Sequence, residues 1–257
     1  MDRLTLPRGE ARQPVRVREH VYRLRESEAR ILATVGAFRI VRADDLQPMR
    51  SSRDAWNGDL RSLAEQGLLQ SKTVQVNRQS VAVVVLTRSG KDVLDAHVSP
   101  HDGRRQEFHA GLVKPREIAH DSQAYRLFQA EAERIEAEGG TVQRVVLDYE
   151  LKREYQTFLN RPDKSGDPGE DLERFAEEAK LPVVDGHLGL PDVRIEYEDA
   201  DGRLEYRDVE LVTEHYSRGQ LAGKAKAGFS MYRAAGAGHG SRAGGTPFDP
   251  HHLEWLR

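Results

Sequence analysis

The chain contains no cysteine. That excludes disulfides and every zinc site built on thiolates. No stretch approaches the roughly 20 apolar residues of a membrane-spanning helix. Residues 1–19 lack the apolar core of a secretory leader. Hydrophobic residues still make up 38% of the 257, enough for packed cores, and the length suits two ordinary domains. The expectation is a soluble, cytoplasmic, two-domain protein.

Charge is divided unevenly. Residues 1–118 hold 21 Lys/Arg against 15 Asp/Glu, whereas 119–257 hold 18 against 27. A basic first half favours phosphate through counterion release, and an acidic second half is suited to holding a metal ion or simply to a solvated surface.

Residues 1–22 carry Arg3, Arg8, Arg12, Arg16 and Arg18 with Pro7 and Pro14, and are expected to form a basic arm with little fixed structure. Ile31, Leu32 and Val35 set a helix over 26–37, Phe38–Val41 a short strand, and Ala43–Met49 a second helix with Asp44 and Asp45 in its first turn. A third helix, 51–66, is capped by Ser51 or Ser52, buries Trp56, Leu60 and Leu63, and stops at Gly67. Strands 73–76 and 81–86 form a hairpin, and Thr87 opens another helix. Residues 98–117 are expected to be a linker.

This order, with Leu68-Leu69 and Leu86-Thr87-Arg88-Ser89-Gly90, resembles the MarR-like winged-helix proteins over residues 22–97. A recognition helix buries one face and offers the other to the major groove. On helix 51–66 the offered residues are Ser52, Arg53, Asn57 and Arg61, with Arg78 at the wing tip and Arg50 and Arg88 alongside. Arginine suits guanine, asparagine adenine and serine phosphate. Double-stranded DNA is the expected partner, with no cofactor needed for binding, and a homodimer is expected because winged helices often bind palindromes in pairs. Docking to protein alone is the other use of such a module.

From Ile118 on, the pattern is helix 119–137, strand 142–149, helix 149–159, loop 160–171, helix 171–180, strands 193–198 and 204–212 turned by Asp199-Ala200-Asp201-Gly202, helix 217–233, and a final strand at 253–256. Asp192 after Pro191 and Glu210 in the next strand resemble the PD-(D/E)xK pattern of restriction-endonuclease-like folds, whose paired acids hold Mg²⁺. Val212 stands where that pattern has lysine. Lys224 is the candidate replacement, and Glu131, on the face of its helix that carries Phe128 and Ile135, is the candidate third acid. His101, His109 and His120 lack metal-ligand spacing, and His251-His252 would point to opposite faces of a strand.

His120, Leu190-Pro191-Asp192, the run Val209-Glu210-Leu211-Val212-Thr213-Glu214, Lys224 and Tyr232 together resemble the replication-relaxation proteins of plasmids and other mobile elements over residues 22–233. The resemblance implies a mixed α/β chain: an N-terminal winged helix-turn-helix followed by a degenerate restriction-endonuclease-like α/β domain over 118–257. Three functions stay open. One is a DNA-binding regulator of replication or transcription whose second domain meets a protein partner. The second is an Mg²⁺-dependent endonuclease using Asp192, Glu210 and Lys224. The third is a protein-interaction adaptor.

Overall fold

The computed structural model describes residues 4–49, 52–76, 79–99, 104–112, 114–184, 186–212 and 216–233. It is a mixed α/β chain of two compact units, one ending at Arg126 and the next beginning at Leu127. Among the described residues no helix is long and apolar enough to cross a membrane.

The first unit opens with a hairpin, β1 (Gln13–Val17) and β2 (His20–Leu24), where a basic arm was expected. Val15 and Leu24 are buried, and Arg12 is held by Glu28 at 2.7 Å. Apolar alternation along 15–24 thus decides the structure, and the arginines do not. Helix α1 (Glu26–Ala37) follows, buried along nearly its whole length. The next strand, β3, is Val41–Arg42, three residues later than expected, and Ala43–Met49 is a 3₁₀ helix. Then come α2 (Arg53–Glu65), the hairpin strands β4 (Leu69–Val76) and β5 (Gln79–Leu86), and α3 (Arg88–His97). The short β3 pairs with the far strand of the hairpin, giving an antiparallel sheet ordered β3-β5-β4.

Residues expected as a linker belong to this unit's core. Phe108 is buried, the His109 N–H donates to the Gly36 carbonyl at 2.9 Å, and the Gly111 N–H donates to Leu86 at 2.9 Å. Helix α4 (Pro115–Ala137) starts in the same unit. Its Ile118 packs with Ile40, Val83 and Val85, and its Arg126 grips Asp45 with two 2.7 Å hydrogen bonds.

The second unit is built on β6 (Thr141–Leu147), β9 (Val193–Glu198), β10 (Leu204–Val212) and β11 (Ser230–Arg233), ordered β11-β10-β9-β6. The β6–β9 and β9–β10 pairs are antiparallel, and β10–β11 is parallel. Between β6 and β9 lie α5 (Asp148–Leu159), α6 (Pro168–Glu178) and a small ribbon, β7 (Val183–Val184) with β8 (His187–Leu188). The β9–β10 turn forms as expected, with Asp199 Oδ1 accepting from the N–H groups of Asp201 and Arg203.

Helix α7 covers Arg218–Lys226, not 217–233. Gly228 adopts φ +86°, its N–H donates to Ala225 and that of Phe229 to Lys224, which is the Schellman arrangement that ends a helix. The chain then re-enters the sheet as β11, where Met231 and Tyr232 are buried beside β10. The expected strand at 253–256 lies outside the described residues.

Candidate functional site

Two places gather the residues that the sequence singles out. The first is α2. Ser52 caps it, its hydroxyl oxygen accepting from the Ala55 N–H at 3.2 Å while the hydroxyl proton stays free to donate. Trp56, Asp59 and Leu63 are the buried residues, and Leu60 is half-buried. Trp56 and Leu63 face inward as expected, but the carboxylate of Asp59, and not Leu60, completes the buried face. Asp59, 0% exposed, is tied to Arg25 in the segment between β2 and α1, the Nε–Oδ1 distance being 2.9 Å. At the other end of α2, Gln66 bonds both backbone groups of Arg23, at 2.7 and 3.1 Å. The helix is thus fixed in rotation and in position by the strand that precedes α1.

What that leaves outward is Arg53, Asn57 and Arg61, all exposed. Four-residue spacing confines them to an arc of about 80° on the helix surface. Among the described residues neither arginine has an ion-pair partner. Arg88 differs: it is 83% exposed but lies 3.4 Å from Asp92, one turn along α3. Arg50, Ser51 and Arg78 lie outside the described residues.

The second place is on β9 and β10. Pairing of Val193 with Val209 sets Asp192 beside Glu210 at the end of the ladder. Asp192 Oδ2 accepts the Leu211 N–H at 2.7 Å. Glu210 is 1% exposed, and its Oε1 takes the Lys224 ammonium at 2.5 Å as well as the Tyr216 hydroxyl. Among the described residues its Oε2 is buried with no hydrogen-bond partner. Burial, then the charge of Asp192, push the Glu210 carboxyl above the usual range, and Lys224 opposes that shift without cancelling it. The Tyr216 hydroxyl is pushed upward by its own burial and by Glu210.

Lys224 therefore does reach Glu210 from α7. It also donates to the Leu190 carbonyl at 3.2 Å and lies over the rings of Phe229 and Tyr216 at 5.2 and 5.6 Å. Val212, at the position of the missing lysine, packs with Leu221, Phe229 and Met231.

Glu131 is not brought to this site. Its carboxylate accepts from the Tyr232 hydroxyl, from Arg134 at 3.0 Å and from Arg207 at 3.3 Å. Arg207 is three residues from Glu210 on β10, and Tyr232 pairs with Leu211, so alternation puts both on the opposite sheet face. The helix phase correctly marks Glu131 as buried, but it serves an arginine–tyrosine cluster. His120 lies in the first unit, its Nδ1 3.2 Å from Asp121, and His109 is 3.8 Å from Glu107. His101, Thr213, Glu214, His251 and His252 lie outside the described residues. Tyr216 and the Leu190 carbonyl were not anticipated; an aromatic just before α7 was the available signal for the first.

A divalent metal does not fit the acid pair as it stands. Mg²⁺ needs near-octahedral oxygens and several waters. Here one oxygen of each carboxylate is already engaged, and an ammonium occupies the space against Glu210. Among the described residues no three acids or histidines converge.

No protein-family model matches this chain. No curated protein matches it. Among solved structures, Bacillus subtilis PadR in complex with operator DNA aligns at 16% identity over 58% of this chain and 93% of that one, with a TM-score of 0.22. A TM-score that low does not establish a shared fold, and the topology described above rests on its own hydrogen-bonded registers.

Proposed function

We propose that this chain is a DNA-binding protein whose first unit is a winged helix, and that α2 is its recognition helix. The observation that carries this is the stripe Arg53-Asn57-Arg61, exposed on a helix whose other face is buried and clamped. The stripe offers a guanine reader, an adenine reader and a second cation within one groove-width. The antiparallel β3-β5-β4 sheet supports the reading, since β4 and β5 form the wing. In this proposal the chain serves control of replication or transcription on a mobile element, the setting implied by its resemblance to replication-relaxation proteins. It binds DNA as a homodimer, and its second unit contacts a protein partner without cutting.

The test is fluorescence anisotropy with mixed-sequence duplex DNA between about 50 and 200 mM salt, where phosphate contacts give a steep salt dependence. Arg53→Ala and Arg61→Ala are each expected to weaken binding about tenfold, corresponding to roughly 1–3 kcal/mol per lost base contact. Arg88→Ala, whose guanidinium is shared with Asp92, costs less. A double variant that binds as tightly as the parent overturns the assignment of α2 and favours the adaptor reading.

The placement of Asp192 beside Glu210 on neighbouring strands favours one second reading, metal-dependent DNA cleavage, in which the metal displaces Lys224 from Glu210. Incubating the same duplex with Mg²⁺ and separating the products decides it: cleavage abolished by Asp192→Ala would make the chain an endonuclease.

A further inference from the structure

Glu210 is an almost fully buried carboxylate next to a second acid, and the charge facing its Oε1 is not a metal but a lysine of the chain itself. That ammonium is only 17% exposed, at 2.5 Å from Glu210 Oε1 and 3.2 Å from the Leu190 carbonyl oxygen. A carboxylate oxygen plus a backbone carbonyl is a donor set that hard cations share with ammonium. The rings of Phe229 and Tyr216 flank Lys224 on α7 and hold its charge there. A metal bound to Oε1 at about 2.1 Å would lie almost in contact with the ammonium, so the two cations exclude each other. Among the described residues the second oxygen of Glu210 is buried without a hydrogen-bond partner.

We propose that Lys224 is a tethered cation that takes the place of a divalent metal between Glu210 and the Leu190 carbonyl, so that the Asp192–Glu210 pair accepts a metal only when Lys224 is removed. This deepens the reading of the second unit as non-cutting, and it is independent of whether α2 binds DNA.

The experiment is Mn²⁺ binding to the full chain, followed by the electron paramagnetic resonance of free Mn²⁺, for wild type, Lys224→Met and Lys224→Met/Glu210→Gln. Wild type is expected to bind no Mn²⁺ that depends on Glu210. The single variant should take up one ion at least tenfold more tightly, and the double variant should lose it. Wild-type binding that vanishes in Glu210→Gln overturns the proposal, as does a folded Lys224→Met chain that binds no ion. If Lys224→Met melts early because Glu210 has lost its counter-charge, millimolar Mn²⁺ should raise its melting temperature more than that of wild type. A destabilised variant that Mn²⁺ does not restore also overturns it. DNA affinity, measured separately, is left unchanged by these outcomes.

Discussion

Arg25 shows how much one side chain decides. It sits at the junction of β2 and α1 and holds Asp59, a fully buried carboxylate of α2, at 2.9 Å. Removing one partner of such a pair strands the other charge in the interior. Arg25→Ala is therefore expected to lower stability by about 2–4 kcal/mol, less than for a wholly buried pair because Arg25 keeps some exposure; a urea titration reads it. Adding Asp59→Leu to that variant should recover much of the loss, since the stranded charge is gone. The sequence did not reveal this pair. A charged residue on a helix reads as solvent-facing, and its partner lies 34 residues away. Lys224 was legible as a replacement because Val212 leaves the expected lysine position empty and the helix after Glu210 carries a lysine. Glu131 was legible as buried but not as to its partners, because helix phase says which face turns inward and not which side of the sheet it meets.

Among the elements, the start of α3 is set by two residues of the run 86–90. The Thr87 hydroxyl donates to the Gly67 carbonyl and accepts the Gly90 N–H, capping α3 and tying it to the end of α2. Gly90 permits the contact: a Cβ there would lie 2.2 Å from the Leu68 carbonyl oxygen, a backbone atom that cannot swing aside. Gly90→Ala should cost about 2–3 kcal/mol or more, at the upper end of overpacking, seen as a lower denaturation midpoint. The helical gain alanine would bring elsewhere is far too small to offset it. Local chemistry made α1, α2, α3, β9 and β10 readable to within a few residues: caps, Gly67 and the Asp199–Gly202 turn mark them. It failed at 218–233, where apolar spacing continued past Gly228 and concealed a change from helix to strand. It failed again at 13–24, where arginine content outweighed the alternation of Val15 with Val17 and of Tyr22 with Leu24.

At the level of the whole chain, the boundary between units falls inside α4, not in a linker before it. The stretch 98–117 looked like a linker because it is poor in apolar residues, but Phe108 and, just beyond it, Ile118 are enough to draw it into the first core. Phe108 lies against Gly36, where a Cβ would come within 2.8 Å of its ring. Phe108→Ala in the full chain is expected to destabilise the first unit by about 3–5 kcal/mol, whereas the same change in a true linker would be silent; chemical denaturation distinguishes the two. Contacts between distant segments leave no local period, so this packing was not legible in residues 98–117. The uneven charge was visible from the start, with 21 Lys/Arg against 15 Asp/Glu in residues 1–118, the sign that the proposed DNA binding by the first unit requires.

The amide of Gln66 has an effect beyond anchoring α2. Arg23 faces Pro14 in the β1–β2 ladder as a non-hydrogen-bonded pair, so its N–H and carbonyl point outward, away from β1. Both are taken by the Gln66 side chain, which imitates the peptide group of a third strand. A two-stranded ribbon normally presents such groups as a template on which another chain can add. Here the middle of that rim is already occupied, so the ribbon is protected from self-association by a residue that belongs to a helix.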